Sequence, residues 1–322
     1  MIMDIDRFQR IRVLVIGDLM IDEYLWGRVD RISPEAPVPV VTVERENHTL
    51  GGAGNVINNL TAMGAKVSAV GTAGTGKAGR MILEKLKDLG VHTHGIISES
   101  DRPTTLKTRI IASSQQVLRI DREVRRPISP ETLARLKDII TSMMDRVDLI
   151  IISDYDKGLV TPALVAHTVD LARKKGVLTL ADPKSLKFDK YARVSVLTPN
   201  QKEAAVAANM DITSQKDLFA AGESLLNTVA LDKLVITCGK HGMVLFEKNA
   251  APHVIASRAR QVFDVSGAGD TVISLLGLSL ASGASFLDSA VVANAGAGIV
   301  VGKVGTATPT IAELKKVLDC KE

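Results

Sequence analysis

An α/β fold, a doubly wound and mostly parallel sheet flanked by helices and carrying a small β-sheet lid, is what this 322-residue sequence predicts. Two patterns point to it. From residue 130 onward, short β-branched runs alternate with helix-like segments at the spacing of βα units. Before that, two extended stretches break the rhythm, and such excursions can pair with one another as a separate sheet. With 46% hydrophobic residues the chain can bury a large core. It reads as a single domain over 1–322, with lid segments near 24–46 and 104–121.

The elements follow in order. Arg12–Gly17 is a β-branched run ending in Gly-Asp, expected as the first buried strand. Asp18 and Asp22 come directly after it, where ligands of open α/β sheets bind, so they are placed to bond hydroxyls of a polar substrate or else to serve as turn and cap residues. Pro34, Pro37 and Pro39 exclude a helix over Tyr24–Glu46, and Val38–Val43 reads as an edge strand. Leu50-Gly-Gly-Ala-Gly-Asn55 precedes a helix over Val56–Met63 that stops at Gly64. Gly52 lets backbone approach a ligand, and Asn55 offers both donor and acceptor to a sugar-type hydroxyl. As a dinucleotide fingerprint the stretch fails, lacking the third glycine and a clean preceding strand.

The strand Lys66–Val70 enters Gly71-Thr-Ala-Gly-Thr-Gly-Lys77-Ala78, which departs from a P-loop because Ala78 cannot hold magnesium. A glycine-rich strand-to-helix turn is expected there. Thr104–Ile111 and Gln116–Asp121, joined by Ala112-Ser-Ser114, form the second β excursion. Closure of such a lid keeps water from an activated phosphate.

Helices are expected at Glu131–Met144 and Pro162–Lys175, and strands at Asp148–Ile152, Val177–Ala181, Val194–Leu197 and Lys233–Thr237. Polar groups gather just past the strand ends: Asp154 and Lys157, Asp182 and Lys184, then Asn200 and Glu203. The last two lie i,i+3 at a helix start and can hold a magnesium shell, although the same spacing makes a capping box, the reading the residues alone favour. Lys157 and Lys184 suit a phosphate or plain surface charge equally. Gly239 and Gly242, in the turn Thr237–Gly242, leave room for a flat base. The small-residue helix Ser289–Lys303, with Asn294, closes at Gly305 and either leaves space for an adenine or packs closely.

Chemistry concentrates in Asp264-Val-Ser-Gly-Ala-Gly-Asp-Thr271, between an expected strand at Ala256–Phe263 and an expected helix at Val272–Leu280. Gly267, Ala268 and Gly269 mark a helix entrance, where first-turn N–H groups lack partners and the dipole end is positive. A carboxylate at Asp270 would repel an anion held there unless its task is to take a proton. Phosphoryl transfer to a hydroxyl uses both features, with the plain dipole partner as the alternative.

Bulk properties exclude other classes. No stretch approaches ~18 uncharged apolar residues, and the amino terminus lacks a secretory pattern, so a cytoplasmic protein without membrane contact is expected. Cys238 and Cys320, the only cysteines, fit neither a disulfide framework nor a zinc site, and His92, His94 and His241 form no metal spacing. A net charge of +4 without basic blocks, and 3% aromatics, argue against nucleic acid as a partner.

Leu50–Asn55 through Gly64, together with Asp264–Thr271, resemble the two signatures of the ribokinase-like PfkB carbohydrate kinases, in the same order and separation. The resemblance covers nearly the whole chain. It implies that Asp270 deprotonates the acceptor hydroxyl, that Gly267, Ala268 and Gly269 form the anion hole, and that Asn200 and Glu203 position Mg2+. It further implies that Asp22, Gly52 and Asn55 hold the sugar and that Thr237, Gly239 and Asn294 surround the ATP. A requirement for K+ is left open. Arg31–Val40, Ser153-Asp-Tyr-Asp-Lys-Gly158, Asp182-Pro-Lys184 and Val300–Thr306 narrow the likeness to bacterial kinases of D-glycero-D-manno-heptose 7-phosphate. That likeness implies phosphorylation at the anomeric hydroxyl to give heptose 1,7-bisphosphate, a precursor of lipopolysaccharide core, by an enzyme dimerised through its lids. Arg109, Lys157 and Lys184 become candidates for the sugar 7-phosphate or the γ-phosphate. The nucleotidyltransferase that follows in many relatives is not found before Glu322, so a separate one is expected. Rival readings are another sugar or nucleoside kinase, a non-catalytic sugar-phosphate sensor, and an NAD-dependent oxidoreductase, the last lacking its fingerprint.

Overall fold

The structure, a computed structural model, describes residues 4–113, 115–184, 187–259, 261–303 and 305–319. Ser114, Arg260, Val304 and Cys320, each part of a stretch named above, lie outside them. β1 (Arg12–Gly17) forms where expected, and every residue after Arg12 is buried. β2 (Leu19–Ile32) and β3 (Pro39–Gly52) then make one long antiparallel hairpin. Its prolines sit in the turn and at the first residue of β3, where a missing N–H is tolerated. β3 runs straight into α1 (Ala53–Ala62), which overturns the expectation that no strand precedes Leu50–Asn55. The glycines do not break this strand because a Cβ at Gly51 would lie 2.3 Å from Asp22 Oδ2 on β2. They make room for a neighbour's carboxylate.

β4 (Lys66–Gly74) extends past Val70, leaving a two-residue turn before α2 (Lys77–Asp88) in place of a phosphate loop. β5 (His92–Glu99) is an unanticipated edge strand, since its two histidines and glycine hide the β pattern. β6 (Thr105–Ala112) and β7 (Gln115–Arg122) pair as the second excursion. α3 (Pro130–Met143), β8 (Leu149–Ser153), α4 (Pro162–Lys175), β9 (Leu178–Asp182) and β10 (Val196–Leu197) continue the alternation. Thr161 caps α4 through the Leu164 N–H with proline at its first position, and Gly176 ends it in a left-handed conformation. α5 (Gln201–Ala208), α6 (Gln215–Thr228), β11 (Lys233–Thr237), β12 (Met243–Glu247) and β13 (His253–Ile255) follow. α7 (Ala268–Ala281), α8 (Phe286–Val300) and α9 (Ile311–Asp319) close the chain. The strand expected at Ala256–Phe263 is absent among its described residues. There the main chain leaves the sheet edge to reach α7, with Asn294 Nδ2 donating to the Ala256 carbonyl at 2.7 Å.

The main sheet has the order β13-β12-β11-β10-β9-β8-β1-β4-β5, parallel except at β12 and β13. Its pleat divides the core by residue parity. Val13, Val15, Leu149 and Ile151 face the layer of α1, α7 and α8, while Leu14, Ile16, Ile150 and Ile152 face that of α3, α4 and α6. The second sheet, order β3-β2-β6-β7, grows out of the first with Asp18 alone between β1 and β2. Buried Arg102, in the connection from β5 to β6, ties the two sheets to the loops between them. It donates to Glu99 Oε2 at 2.6 Å and to the carbonyls of Lys157 (2.9 Å), Arg126 (2.7 Å) and Pro127 (2.9 Å). Replacing it leaves a buried carboxylate and three carbonyls without these donors. Arg102→Met is expected to lower unfolding stability by about 3–5 kcal/mol in urea titration. A loss below about 1 kcal/mol would show that the node carries no weight.

Candidate functional site

Ten of the fourteen residues of α7 are buried, which is why its sequence is apolar on nearly every face. The helix lies between the sheet and α8, so its first turn opens at the carboxyl end of the parallel strands. Gly267 caps it with φ +79°, and a Cβ at this position would lie 2.5 Å from Asn55 Nδ2. Both facts demand glycine. The N–H groups of Gly269 and Asp270 have no acceptor among the described residues, leaving two donors at the positive end of the dipole beside Ala268.

Asp270 lines the cleft and is 4% exposed. Its Oδ1 accepts from the Tyr155 hydroxyl at 2.8 Å and its Oδ2 from Asn55 Nδ2 at 2.7 Å. Asn55 is in turn fixed across two helices: Asn59 Nδ2 donates to its carbonyl at 2.9 Å, and the Thr271 hydroxyl donates to Asn59 Oδ1 at 2.8 Å. Asn55 Oδ1 is buried without a protein partner. Burial pushes the Asp270 carboxyl up to about 6, and the hydrogen bonds from Asn55 and Tyr155 limit the rise.

The cleft, about 220 Å³, also takes in Asp182, Lys184, Asn200, Glu203 and Thr237. Asn200 and Glu203 form the capping box: Asn200 Oδ1 accepts from the Glu203 N–H at 3.0 Å, and Glu203 Oε2 from the Asn200 N–H at 2.8 Å. The remaining Glu203 oxygen, Oε1, takes Lys184 Nζ at 2.6 Å. Burial first, then Asp182 and Glu203, act on Lys184, and the carboxylates prevail, holding its ammonium above the ordinary range. Asp182 is pushed up to about 8 by burial and by the charges of Asp270 and Glu203, with Lys184 opposing. Three carboxylates thus surround one lysine. The oxygen donors suit Mg2+, which usually takes one or two carboxylates together with phosphate and water.

On the second sheet, Arg109 Nη1 bonds Asp22 Oδ1 at 2.5 Å, and its guanidinium lies 5.3 Å from the centre of the Tyr24 ring. Other residues singled out in the sequence are engaged by the protein itself. Asp18 accepts from the main-chain N–H groups of Tyr155 (2.8 Å), Lys157 (3.2 Å) and Leu159 (3.4 Å), so its carboxylate holds a loop instead of facing open space. Asp154 is buried against the Tyr191 hydroxyl and the Lys190 ammonium. Lys157 pairs with Glu123 at 2.9 Å. Gly52 packs on the Asp18 carbonyl at the root of β3, and the space at Gly242 is filled by the Ile255 carbonyl, 2.0 Å from a built Cβ, leaving Gly239 as the open position of that turn. Asn294 holds the Ala256 carbonyl, and α8 packs closely on α7, with Gly296 against Leu275. Sequence reasoning gave Tyr155 no role, although it stands two residues past β8, where the other polar groups gather.

Size alone does not find this site. A larger cavity of about 540 Å³ opens at the opposite, amino end of the strands, lined by Arg12, Lys66, His92, His94 and Arg146 among others, with no carboxylate among its lining residues. Charge in the smaller cleft has a measurable consequence. An acid whose folded pKa is raised contributes stability that is complete below its unfolded value and is lost as pH rises through the folded one. For Asp270 and Asp182 that window runs from about pH 4 upward through about 6 and about 8. Asp182→Asn is expected to flatten the fall in melting temperature at its upper end; curves that stay parallel to the parent's across the window would contradict a protonated Asp182.

Comparison with known proteins shows the family and the fold. The pattern of the pfkB family carbohydrate kinases matches residues 10–313. The bifunctional protein HldE of Desulfatibacillum aliphaticivorans is 51% identical over 315 residues, covering 98% of this chain and 64% of that protein. HldE of Geobacter sulfurreducens is 47% identical over 304 residues, covering 94% and 62%. The chain therefore spans less than two thirds of the length of these relatives. Among solved structures, Arabidopsis thaliana ribokinase with ribose and ATP superposes with a TM-score of 0.76 at 18% identity, covering 96% of this chain and 99% of the other. Phosphofructokinase-2 of Escherichia coli superposes at 0.79 and 17%, covering 95% and 98%. The fold is ribokinase-like, and the chain belongs to the pfkB family of carbohydrate kinases.

Proposed function

We propose that this chain transfers the γ-phosphoryl group of ATP to the anomeric hydroxyl of D-glycero-D-manno-heptose 7-phosphate, giving heptose 1,7-bisphosphate and ADP. One observation carries the reading: a buried carboxylate, Asp270, lies beside the unpartnered N–H groups of Gly269 and Asp270 in a cleft shared with Lys184, Asn200 and Glu203. Proton acceptor and anion donors are what phosphoryl transfer to a hydroxyl needs side by side. The sugar is supported by the 44–51% identity to HldE proteins of several bacteria, among them that of Syntrophotalea carbinolica.

In this reading the heptose lies under the lid, against Asp22 and Asn55, whose buried Oδ1 has no protein partner and would take a sugar hydroxyl. As the acceptor oxygen bonds to the γ-phosphorus and the bond to ADP breaks, Asp270 takes the hydroxyl proton. At the entrance that Gly267 and Ala268 form, the N–H groups of Gly269 and Asp270 direct main-chain donors at the charge on the transferred group, while that of Ala268 is held by the Val265 carbonyl. Lys184 leaves Glu203 for the phosphate. Asn200 and Glu203 would hold Mg2+, directly or through water, which offsets the charge of the phosphates. Arg109 and Lys157 are the candidates for the 7-phosphate, each exchanging a carboxylate partner for the ligand. Thr237 and Gly239 border the nucleotide.

The lid supplies the basis for a dimer. Leu118 and Ile120 on β7 are 52% and 36% exposed, on the face opposite Asp22 and Arg109. An exposed apolar strand face of this kind suits a second copy. Leu118→Asp should halve the mass seen by sedimentation equilibrium, and a parent already monomeric would remove the lid from this role. Asp270→Asn should cut turnover by ~10²–10⁴ while ATP affinity stays nearly unchanged; near-normal kcat would remove the base. ADP release across heptose 7-phosphate, fructose phosphates, ribose and adenosine tests the sugar, and preference for any other acceptor makes this a different sugar or nucleoside kinase.

A further inference from the structure

The loop between β8 and α4 binds four parts of the site at once. Its Tyr155 hydroxyl donates to Asp270 Oδ1 at 2.8 Å. Its main-chain N–H groups at Tyr155, Lys157 and Leu159 converge on the Asp18 carboxylate at the β1–β2 junction. Lys157 reaches Glu123 just past the end of lid strand β7, and the Lys157 carbonyl accepts from buried Arg102. Lys184 Nζ lies 5.9 Å from the centre of the Tyr155 ring. A phenol among carboxylates could be simple packing, but this one spends its only donor on the group read above as the base.

We propose that Tyr155 is a positioning residue: through the Asp18-held loop it fixes one oxygen of Asp270 and keeps that carboxylate charged, so that Oδ2 and the second lone pair of Oδ1 are presented to the acceptor hydroxyl. The inference rests on the kinase reading for its consequence in turnover, but the hydrogen bond and its effect on charge do not depend on the substrate. A donor to the ionised form lowers an acid's pKa, so removing it must raise that of Asp270. The groups facing Asp270 from the surrounding elements are Asp22 on β2, Asn55 on α1, Asp182 at the end of β9, Lys184 just after it, and Glu203 on α5, farther along the cleft. The Tyr155 phenol is itself held far above its ordinary range, first by burial and then by Asp270, so it stays a donor throughout the working range. Asp18 is pushed up to about 6 by burial and by Asp154, with the three loop N–H groups opposing, so the loop's own anchor titrates close to the group it serves.

The test follows the 13Cγ resonance of Asp270 with pH in the full chain, without ligand. In Tyr155→Phe the midpoint should rise by about one pH unit, the size of a single hydrogen bond to a charged group. 3-Fluorotyrosine at position 155, a more acidic phenol and better donor, should move it the other way. Tyr155→Phe leaves the ring in place, and if it still fails to fold, the fluorinated protein carries the test alone. Coincident titrations in parent and altered proteins overturn the proposal. With ATP and the heptose phosphate, the acidic limb of kcat/KM should shift by the same amount as the resonance, kcat should fall about tenfold, and KM for ATP should hold. A lowered kcat with an unmoved limb would mean a structural role and also overturns it. A parent that releases no ADP with any sugar removes the kinase reading and leaves the titration result standing.

Discussion

Burying Asp270 takes away the water that would solvate its charge, and the fold replaces that water with the Tyr155 hydroxyl, the Asn55 amide and the dipole of α7. Each replacement constrains something distant. Asn55 reaches the carboxylate only if α1 lies against the entrance of α7, which the Asn59–Thr271 hydrogen bond secures and which the missing side chain of Gly267 allows. Tyr155 reaches it only if the loop after β8 is held, a task that consumes the whole carboxylate of Asp18. Much of the polar composition of the central region follows from the need to keep one acid charged where apolar packing surrounds it.

The cleft also explains why its lysine and glutamate are paired. Lys184 and Glu203 pair with each other, and burial together with the charges of Asp270 and Glu203 outweighs Lys184 at Asp182, holding that carboxyl up at about 8. A highly charged ligand with its cation would rearrange all three. The site is therefore electrostatically unfinished in the free protein, in the sense that its own charges are not balanced by its own residues.

The sequence showed the sheet well because parallel central strands are buried on both faces and read as short apolar runs: Arg12–Gly17 and Lys233–Thr237 fall where they were expected, as does the helix Pro162–Lys175 between strands. It concealed β5, where histidines and a glycine occupy an edge, and it misplaced a strand at Ala256–Phe263, where the main chain leaves the sheet edge and the Ala256 carbonyl accepts from Asn294 on α8. No clean strand was expected before Leu50–Asn55, yet Gly51 and Gly52 end β3, because a carboxylate and a carbonyl on neighbouring backbone need the room. Asp270 and its helix entrance were legible because their chemistry is local. The partners of Asp18, Asp154 and Gly242 were not, since each is set by chain far away in sequence, and residues at strand ends look alike whether they serve a ligand or the fold.

The hairpin of β2 and β3 is rooted at both ends, through Asp18 into β1 and through Gly52 into α1. A ribbon anchored in this manner can tilt like a cantilever but cannot slide along the cleft. Fourteen residues of strand reach roughly 45 Å, so ten degrees of tilt sweeps the far end by about 8 Å while displacing a residue four positions from the root by only about 2 Å. Groups near the pivot, such as Asp22, would thus keep their place relative to the entrance of α7 under a tilt that carries the outer half away.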